Sequence, residues 1–277
     1  MDETFTIELS RAERHYLHSL IGWPTPSPDV SELAADSPRS QTVLRAAAEA
    51  LAARHYVRLP DQVGSTIAVD QTVAALLAVA SFPEHGLVAR AVRDQRARAE
   101  ELQLLSSGGL LVEVRQGEDG AYTLTACRTQ GVALGRLLSF LGVRKQPAAH
   151  DQSFRIAADD MEQLPYIIAG SGAEDGGAFL QAKGVPAIAA TRFATALANP
   201  AAQSLVQALV WEDGQPRETV RLALVEEAFG LWVASPSEST KGVLEIVPAS
   251  AAEVAERLRL MATHILPPEP HPVDSPY

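Results

Sequence analysis

The hydrophobic pattern of the first 150 residues is repeated, in the same order, in the residues that follow. Each half begins with a short alternating segment that predicts a strand. A polar residue comes next, Ser10 in one half and Asp159 in the other, and predicts the N-cap of an amphipathic helix. Glycine ends each helix, at Gly22 and Gly170. The sequence therefore predicts the same strand–helix opening twice.

An alanine-rich helix is also predicted in both halves. Residues 69–92 align with residues 186–210, so that Leu76 corresponds to Phe193 and Pro83 to Pro200. Each segment predicts a helix that stops at its proline and is followed by a further apolar segment.

Alternating runs after these helices predict strands. They are GLLVEV and AYTLTAC in the first half, and VRLALV, GLWVA and GVLEIV in the second. Turn residues at 116–120 and 235–239 connect them, and connections this short allow only antiparallel pairing. A closing helix is predicted in each half, with inward positions at Val132, Leu134, Leu138 and Leu141, and at Val254, Leu258 and Met261.

The halves are expected to differ in one place. The first contains an extra predicted helix from Ser40 to Tyr56, whose apolar face is Val43, Leu44, Ala47, Ala48 and Leu51. The second contains a shorter, glycine-rich segment at residues 170–184, and the first part of it, residues 170–177, is predicted to be a flexible loop that terminates a helix.

These elements predict an α+β protein of two structurally related halves, a pseudo-twofold repeat of mainly antiparallel sheet with flanking helices. The first half is placed at residues 1–148 and the second at 149–266. Residues 267–277 contain five prolines and are predicted to be a flexible tail.

Composition narrows the class of protein. The chain has 277 residues, 47% of them hydrophobic, which is enough for a buried core. Its net charge of −11 disfavours nucleic acid as a partner. Cys127 is the single cysteine, so the chain cannot form an internal disulfide. The longest apolar stretch, residues 73–82, is about half as long as the ~20 residues that a membrane-spanning helix needs. A cytoplasmic protein is expected.

No motif predicts catalysis, a metal or a cofactor. Residues 170–177 lack the third glycine of a dinucleotide loop, because Asp175 stands there, and they lack the Gly-Lys ending of a P-loop. His15 and His18 lie three apart on a predicted helix without further ligands, so they are interpreted as surface histidines. Cys127 is interpreted as a small, partly buried residue.

The one basic cluster suggests a partner-binding surface. Arginines stand at 90, 93, 96 and 98, and leucines follow directly. A solvated hairpin tip is one interpretation, and a docking site for an acidic or polar partner is the other, because arginine and apolar anchors recur at protein interfaces. The candidate partner-binding residues are Arg93, Arg96, Arg98, Leu102, Leu104 and Leu105.

The order of elements resembles that of the EspG proteins associated with ESX (type VII) secretion in actinobacteria. The resemblance is carried by FTIELSRAERHYLHSLIG, LRAAAEALAARHYV, VDQTVAALLAVASFPEH, GLLVEV, AYTLTAC and VALGRLLSFLG, and by their counterparts after residue 153. It implies a non-enzymatic cytosolic chaperone that binds the helical tip of a secreted protein or protein pair.

Two other functions stay open. A winged-helix DNA-binding regulator would use the predicted helices at 40–56 and 69–82 with GGLLVEVRQGEDGAYTLTAC as the wing, although Glu118 and Asp119 place negative charge at its tip. An enzyme would require polar groups from distant segments to converge.

Overall fold

The computed structural model describes residues 5–23, 38–59, 67–93, 99–117, 119–143, 153–227 and 230–266. These residues form eight helices and twelve strands, which confirms the predicted α+β class. None of the helices they form is both long enough and apolar enough to cross a membrane.

The helices are α1 (Arg11–Ile21), α2 (Pro38–Ala53), α3 (Gln71–Ser81), α4 (Gln130–Leu141), α5 (Ala158–Ser171), α6 (Ala173–Ala182), α7 (Ala187–Ala198) and α8 (Ala251–Ile265). The strands are β1 (Thr6–Leu9), β2 (Val57–Arg58), β3 (Ala68–Val69), β4 (His85–Val92), β5 (Glu100–Ser107), β6 (Leu110–Gln116), β7 (Tyr122–Ala126), β8 (Phe154–Ala157), β9 (Ala202–Glu212), β10 (Gln215–Glu227), β11 (Gly230–Pro236) and β12 (Val243–Pro248).

Ten strands form a sheet in the order β1-β7-β6-β5-β4-β9-β10-β11-β12-β8, and β2 pairs with β3 separately. The predicted hairpins β6–β7 and β11–β12 are antiparallel, as expected. Two compact units are distinguished: unit 1 is Met1–Glu84 with Gln103–Thr129, and unit 2 is His85–Leu102 with Gln130–Tyr277. The chain passes from one unit to the other at three points, one of which falls within β5, and the division into halves at residue 148 stays a prediction.

Helix α1 of unit 1 is capped at both ends. Ser10 accepts a hydrogen bond from the backbone N–H of Glu13, and the Glu13 carboxylate accepts one from the backbone N–H of Ser10. Gly22 ends α1 at φ 74°, a left-handed conformation that glycine adopts without strain. The predicted cap and stop of α1 are both confirmed.

Helix α2 presents the predicted apolar face: Ala47, Ala48 and Leu51 are buried, and Val43 and Leu44 are half-buried. His18 of α1 is buried, however, at 1% exposure, and its Nε2 lies 3.3 Å from Ser81 Oγ. The interpretation of His18 as a surface histidine is therefore wrong.

Unit 2 contains a core of buried residues between α5, α6, α7 and strands β8, β10, β11 and β12. Three aromatic rings lie at its centre, Phe154, Phe193 and Trp232, with centroids 5.3–6.3 Å apart. Helix α8 buries Val254, Leu258 and Met261, as predicted.

Helix α4 buries a different face from the predicted one. Ala133, Leu137, Phe140 and Leu141 are buried, whereas Val132, Leu134 and Leu138 are half-buried. The buried set follows the i, i+4, i+7, i+8 spacing of one helical face, which the predicted set did not.

The second half also differs from its prediction at two points. Asp159 does not cap α5, because the N-cap is Ala157 and Asp159 stands in the first turn. The glycine-rich segment is not a loop: the left-handed Gly172 separates α5 from a further helix, α6. Both halves thus contain a helix at this point in the element order.

The pairing of β4 with β9 is consistent with the alignment of the halves. That alignment relates each residue to the one 117 positions later, so Ala89 corresponds to Val206. Ala89 and Val206 are direct partners across the two antiparallel strands. The helix ends also agree, since Phe82 has φ −133° and ψ 60° and Asn199 has φ −137° and ψ 62°. The internal repeat itself stays a prediction.

Candidate functional site

An apolar groove of about 600 Å³ lies in unit 2, between α5, the end of α7 and strands β4, β9 and β10. Eleven of its fourteen lining residues are apolar, and Arg90 is the one charged residue among them. The lining residues are Arg90, Val92, Met161, Pro165, Ile168, Ala169, Leu197, Ala198, Gln203, Ser204, Leu205, Ala223, Leu224 and Val225. A surface of this kind can bind apolar side chains of a ligand, and its few polar groups can select the orientation of that ligand.

The floor of the groove is built by strand pairing. Leu205 of β9 is paired with Ala223 of β10 on one side and with Arg90 of β4 on the other. Directly paired residues project from the same face of a sheet, so these three side chains form a row. The neighbouring row on this face is Val92, Gln203 and Val225.

The helical wall of the groove is one face of α5. Met161, Pro165, Ile168 and Ala169 follow the i, i+4, i+7, i+8 spacing. Pro165 and Ala169 are exposed, and Met161 and Ile168 are half-buried. Tyr166, the residue after Pro165, is 81% exposed. An exposed apolar stretch on a helix typically marks an interaction surface.

Two glycines of α6 set the position of this wall. A Cβ at Gly176 would lie 2.6 Å from Ile168 Cγ1, and a Cβ at Gly177 would lie 3.4 Å from the Cα of Thr191 in α7. Helix α6 therefore packs closely against both α5 and α7. This packing is the structural reason for the glycine-rich sequence.

Arg90 provides the charge of the groove. Its Nε donates a hydrogen bond to Oε2 of Glu101 in β5 over 2.6 Å. The Arg90 side chain is nonetheless 56% exposed, and the Glu101 side chain 32%. Within the part of the chain that the structure describes, the Nη groups of Arg90 have no hydrogen-bond partner.

Arg93, one of the predicted partner-binding arginines, is not brought into the groove. Arg93 forms an ion pair with Glu100, and its guanidinium carbon lies 5.3 Å from the ring centroid of Phe140 in α4. It does not line the groove. Arg96 and Arg98 lie outside the described residues.

The three predicted leucines are core residues. Leu102 and Leu104 are fully buried, and Leu105 is 2% exposed. Strand β5 lies between β4 and β6 in the sheet, so neither of its edges is free. The expectation that these leucines stand at the surface beside the arginines is therefore wrong, because their side chains are buried.

Other residue types that commonly form functional sites, among them cysteine and glutamate, are present among the described residues. No three His, Cys, Asp or Glu residues of the described ranges are arranged to hold a metal ion. Cys127 is buried at 6% exposure, and its thiol donates a long hydrogen bond of 3.9 Å to the carbonyl of Thr125. Glu226 is buried at 8% exposure.

Local sequence patterns do not predict most of the groove, because its lining residues come from four distant segments of the chain. The run Tyr166-Ile167-Ile168 was the available signal, since it places bulky apolar residues on adjacent faces of one helix. Only Arg90 was noticed, as part of the basic cluster.

No protein-family model matches the chain, and no curated protein sequence matches it. Among solved structures, it is similar to the Mycobacterium tuberculosis type VII secretion system chaperone EspG5, determined in complex with a PE25–PPE41 dimer. The TM-score is 0.69 at 18% sequence identity, and the match covers 95% of this chain and 97% of EspG5. The similarity confirms at the level of fold what the sequence resemblance implied: this chain has the fold of the chaperone EspG5.

Proposed function

We propose that this protein is a cytoplasmic chaperone for type VII secretion, which binds a helical secreted protein or protein pair and keeps it soluble. The observation that carries the proposal is the similarity to EspG5 over nearly the whole of both chains. EspG5 was determined bound to a PE25–PPE41 dimer, and a partner of comparable kind is proposed for this chain.

The groove of unit 2 is proposed as the surface that receives the partner. Its volume of about 600 Å³ accommodates several apolar side chains. A helix that binds in a groove uses anchors at i, i+3 or i+4 and i+7, which form one apolar stripe. The exposed and half-buried residues of α5 and β9 offer matching apolar contacts.

The alternatives have less support. Among the described residues that line the groove, Arg90 is the one with a titratable side chain, whereas acid–base catalysis requires groups of complementary pKa at one site. The winged-helix function requires a free β6–β7 hairpin, but β6 is paired with β5 and β7 is paired with β1. Both observations favour a binding protein over an enzyme or a DNA-binding regulator.

The test is co-expression with the small helical proteins encoded beside this chain, followed by purification and measurement of the dissociation constant. Ala169→Arg places a charged side chain on the groove wall, and we expect at least a roughly tenfold loss of affinity, about 1.4 kcal/mol. Gln163→Arg is the matched control, because Gln163 is also exposed on α5 but does not line the groove. Its affinity should stay within about twofold of the unsubstituted protein.

Two results would contradict the proposal. Failure of every neighbouring helical protein to co-purify argues against the chaperone function. Equal affinity of the Ala169→Arg and Gln163→Arg proteins argues against the groove as the binding surface.

A further inference from the structure

We infer that the partner segment that fills the groove carries an aspartate or glutamate whose carboxylate binds the Nη groups of Arg90. The inference rests on the proposed function, and it adds the chemistry by which the groove selects its partner. It begins from the position of Arg90, a single charged side chain in a lining that is otherwise apolar or neutral.

Only some of the hydrogen-bond donors of Arg90 have an acceptor among the described residues of the free protein. A guanidinium group has five N–H donors. Glu101 accepts the hydrogen bond of Nε, and the Nη donors face no acceptor among the described residues. With the side chain 56% exposed, water satisfies these donors while the groove is empty.

A partner that covers the groove removes that water. Charged N–H donors left without acceptors in an apolar environment carry a large desolvation penalty. A purely apolar helix would therefore bind poorly at the β4 side of the groove. The occupant must supply acceptors at the Nη groups.

A helical occupant has few acceptors to offer apart from its side chains. Its backbone carbonyls accept hydrogen bonds within the helix, except in the last turn. Among side-chain acceptors, a carboxylate binds a guanidinium group most strongly, since it accepts two charge-assisted hydrogen bonds in parallel. The geometry thus favours an amphipathic helix with an apolar stripe and one acidic residue within a turn of it.

Glu101 has a predictable role in this arrangement. It holds Arg90 through Nε and also places a negative charge near the incoming carboxylate. Removing that charge should lower the repulsion felt by the partner, whereas removing the charge of Arg90 should remove the attraction. Opposite effects of the two substitutions distinguish partner recognition from a merely structural ion pair.

The experiment measures the dissociation constant of the co-purified helical partner with four variants. We expect Arg90→Gln to weaken binding about tenfold or more, Arg90→Lys to retain part of the affinity, and Glu101→Gln to bind equally well or more tightly. Arg217→Gln is the control, because Arg217 of β10 pairs with Glu212 at the surface and does not line the groove. Its affinity should be unchanged.

Reciprocal substitution identifies the acidic residue. Each exposed Asp and Glu of the partner's helical tip is changed to the corresponding amide, and one of these changes should lose affinity with the unsubstituted protein but not with Arg90→Gln. Arg90→Glu combined with an arginine at that partner position should restore binding.

The inference is overturned if Arg90→Gln binds as tightly as the unsubstituted protein, or if Glu101→Gln loses as much affinity as Arg90→Gln. If Ala169→Arg still abolishes binding in that case, the groove and the chaperone function stand without the acidic anchor. If Ala169→Arg also binds normally, the groove is not the binding surface, and both proposals fail.

Discussion

Phe193 is the side chain through which α7 packs into the core of unit 2, and Phe193→Ala should remove much of that core's stability. The side chain is fully buried. Its ring centroid lies 5.5 Å from that of Phe154 and 5.3 Å from that of Trp232, with interplanar angles of 71° and 68°. These are edge-to-face contacts, the arrangement that aromatic pairs favour.

The expected loss follows from burial and ring contacts together. Replacing a buried phenylalanine with alanine costs about 3–5 kcal/mol, through lost transfer free energy and the cavity left behind. Each edge-to-face pair contributes a further ~0.5–1.5 kcal/mol beyond area burial, so two pairs place Phe193 toward the upper end of that range, at about 5 kcal/mol. A loss of this size is a large fraction of the ~5–15 kcal/mol that stabilises a typical domain.

The assay is urea denaturation followed by tryptophan fluorescence, to which Trp232 beside the cavity contributes together with the two other tryptophans of the chain. The midpoint should fall with little change in the slope m, because the substitution changes stability rather than the surface exposed on unfolding. Tyr166→Ala, at an 81% exposed position, is the control and should change the free energy of unfolding by less than about 0.5 kcal/mol. A loss below about 1 kcal/mol for Phe193→Ala would refute the packing described here. Partner binding should weaken as well, since Ile168 and Leu197 of the groove pack against this core.

Two further predictions concern helices. Gly135→Ala in α4 should stabilise the protein by about 0.5–1 kcal/mol in thermal unfolding, because the added Cβ would meet no atom within 4 Å. Gly176→Ala should not give this gain, because its Cβ would clash with Ile168, and it should also weaken partner binding; equal effects of the two substitutions would contradict the close packing of α6. Hydrogen bonds from Ser250, first from its backbone N–H and second from its hydroxyl, lower the pKa of Glu253. The Glu253 carboxylate therefore stabilises α8 fully at pH values above the ordinary pKa of glutamate, and this stabilisation is lost as the pH falls through the lowered pKa. Glu253→Gln keeps an acceptor for the backbone N–H of Ser250 but removes the charge, so it should cost less than about 1 kcal/mol at neutral pH. It should also reduce the acid dependence of the free energy of unfolding, and an unchanged pH profile would contradict this.

The sequence predicted the elements whose signals are local. The cap at Ser10 and the stop at Gly22 were found because each depends on the chemistry of one or two neighbouring residues. The hairpins were found for the same reason, since turn residues between alternating runs leave few other structures.

Features that depend on tertiary packing were predicted poorly. Helix α6 was interpreted as a loop because Gly176 and Gly177 have low helix propensity, and nothing local shows that α5 and α7 approach too closely for a side chain. The leucines of β5 were expected at the surface because the sequence does not indicate that β5 is an interior strand. The groove was missed because strand order, which is a long-range property, brings β4 beside β9.

The pairing of β4 with β9 also has a consequence for biosynthesis. Ala89 and its partner Val206 are separated by 117 residues of chain, so β4 leaves the ribosome long before its neighbour exists. At ~5–20 residues per second, that delay is roughly 6–23 s. For that time one edge of β4 is open to pairing with other nascent chains, and the charge of Arg90 on this strand works against such pairing. A protein proposed to protect others from aggregation would thus pass through an aggregation-sensitive interval of its own during translation.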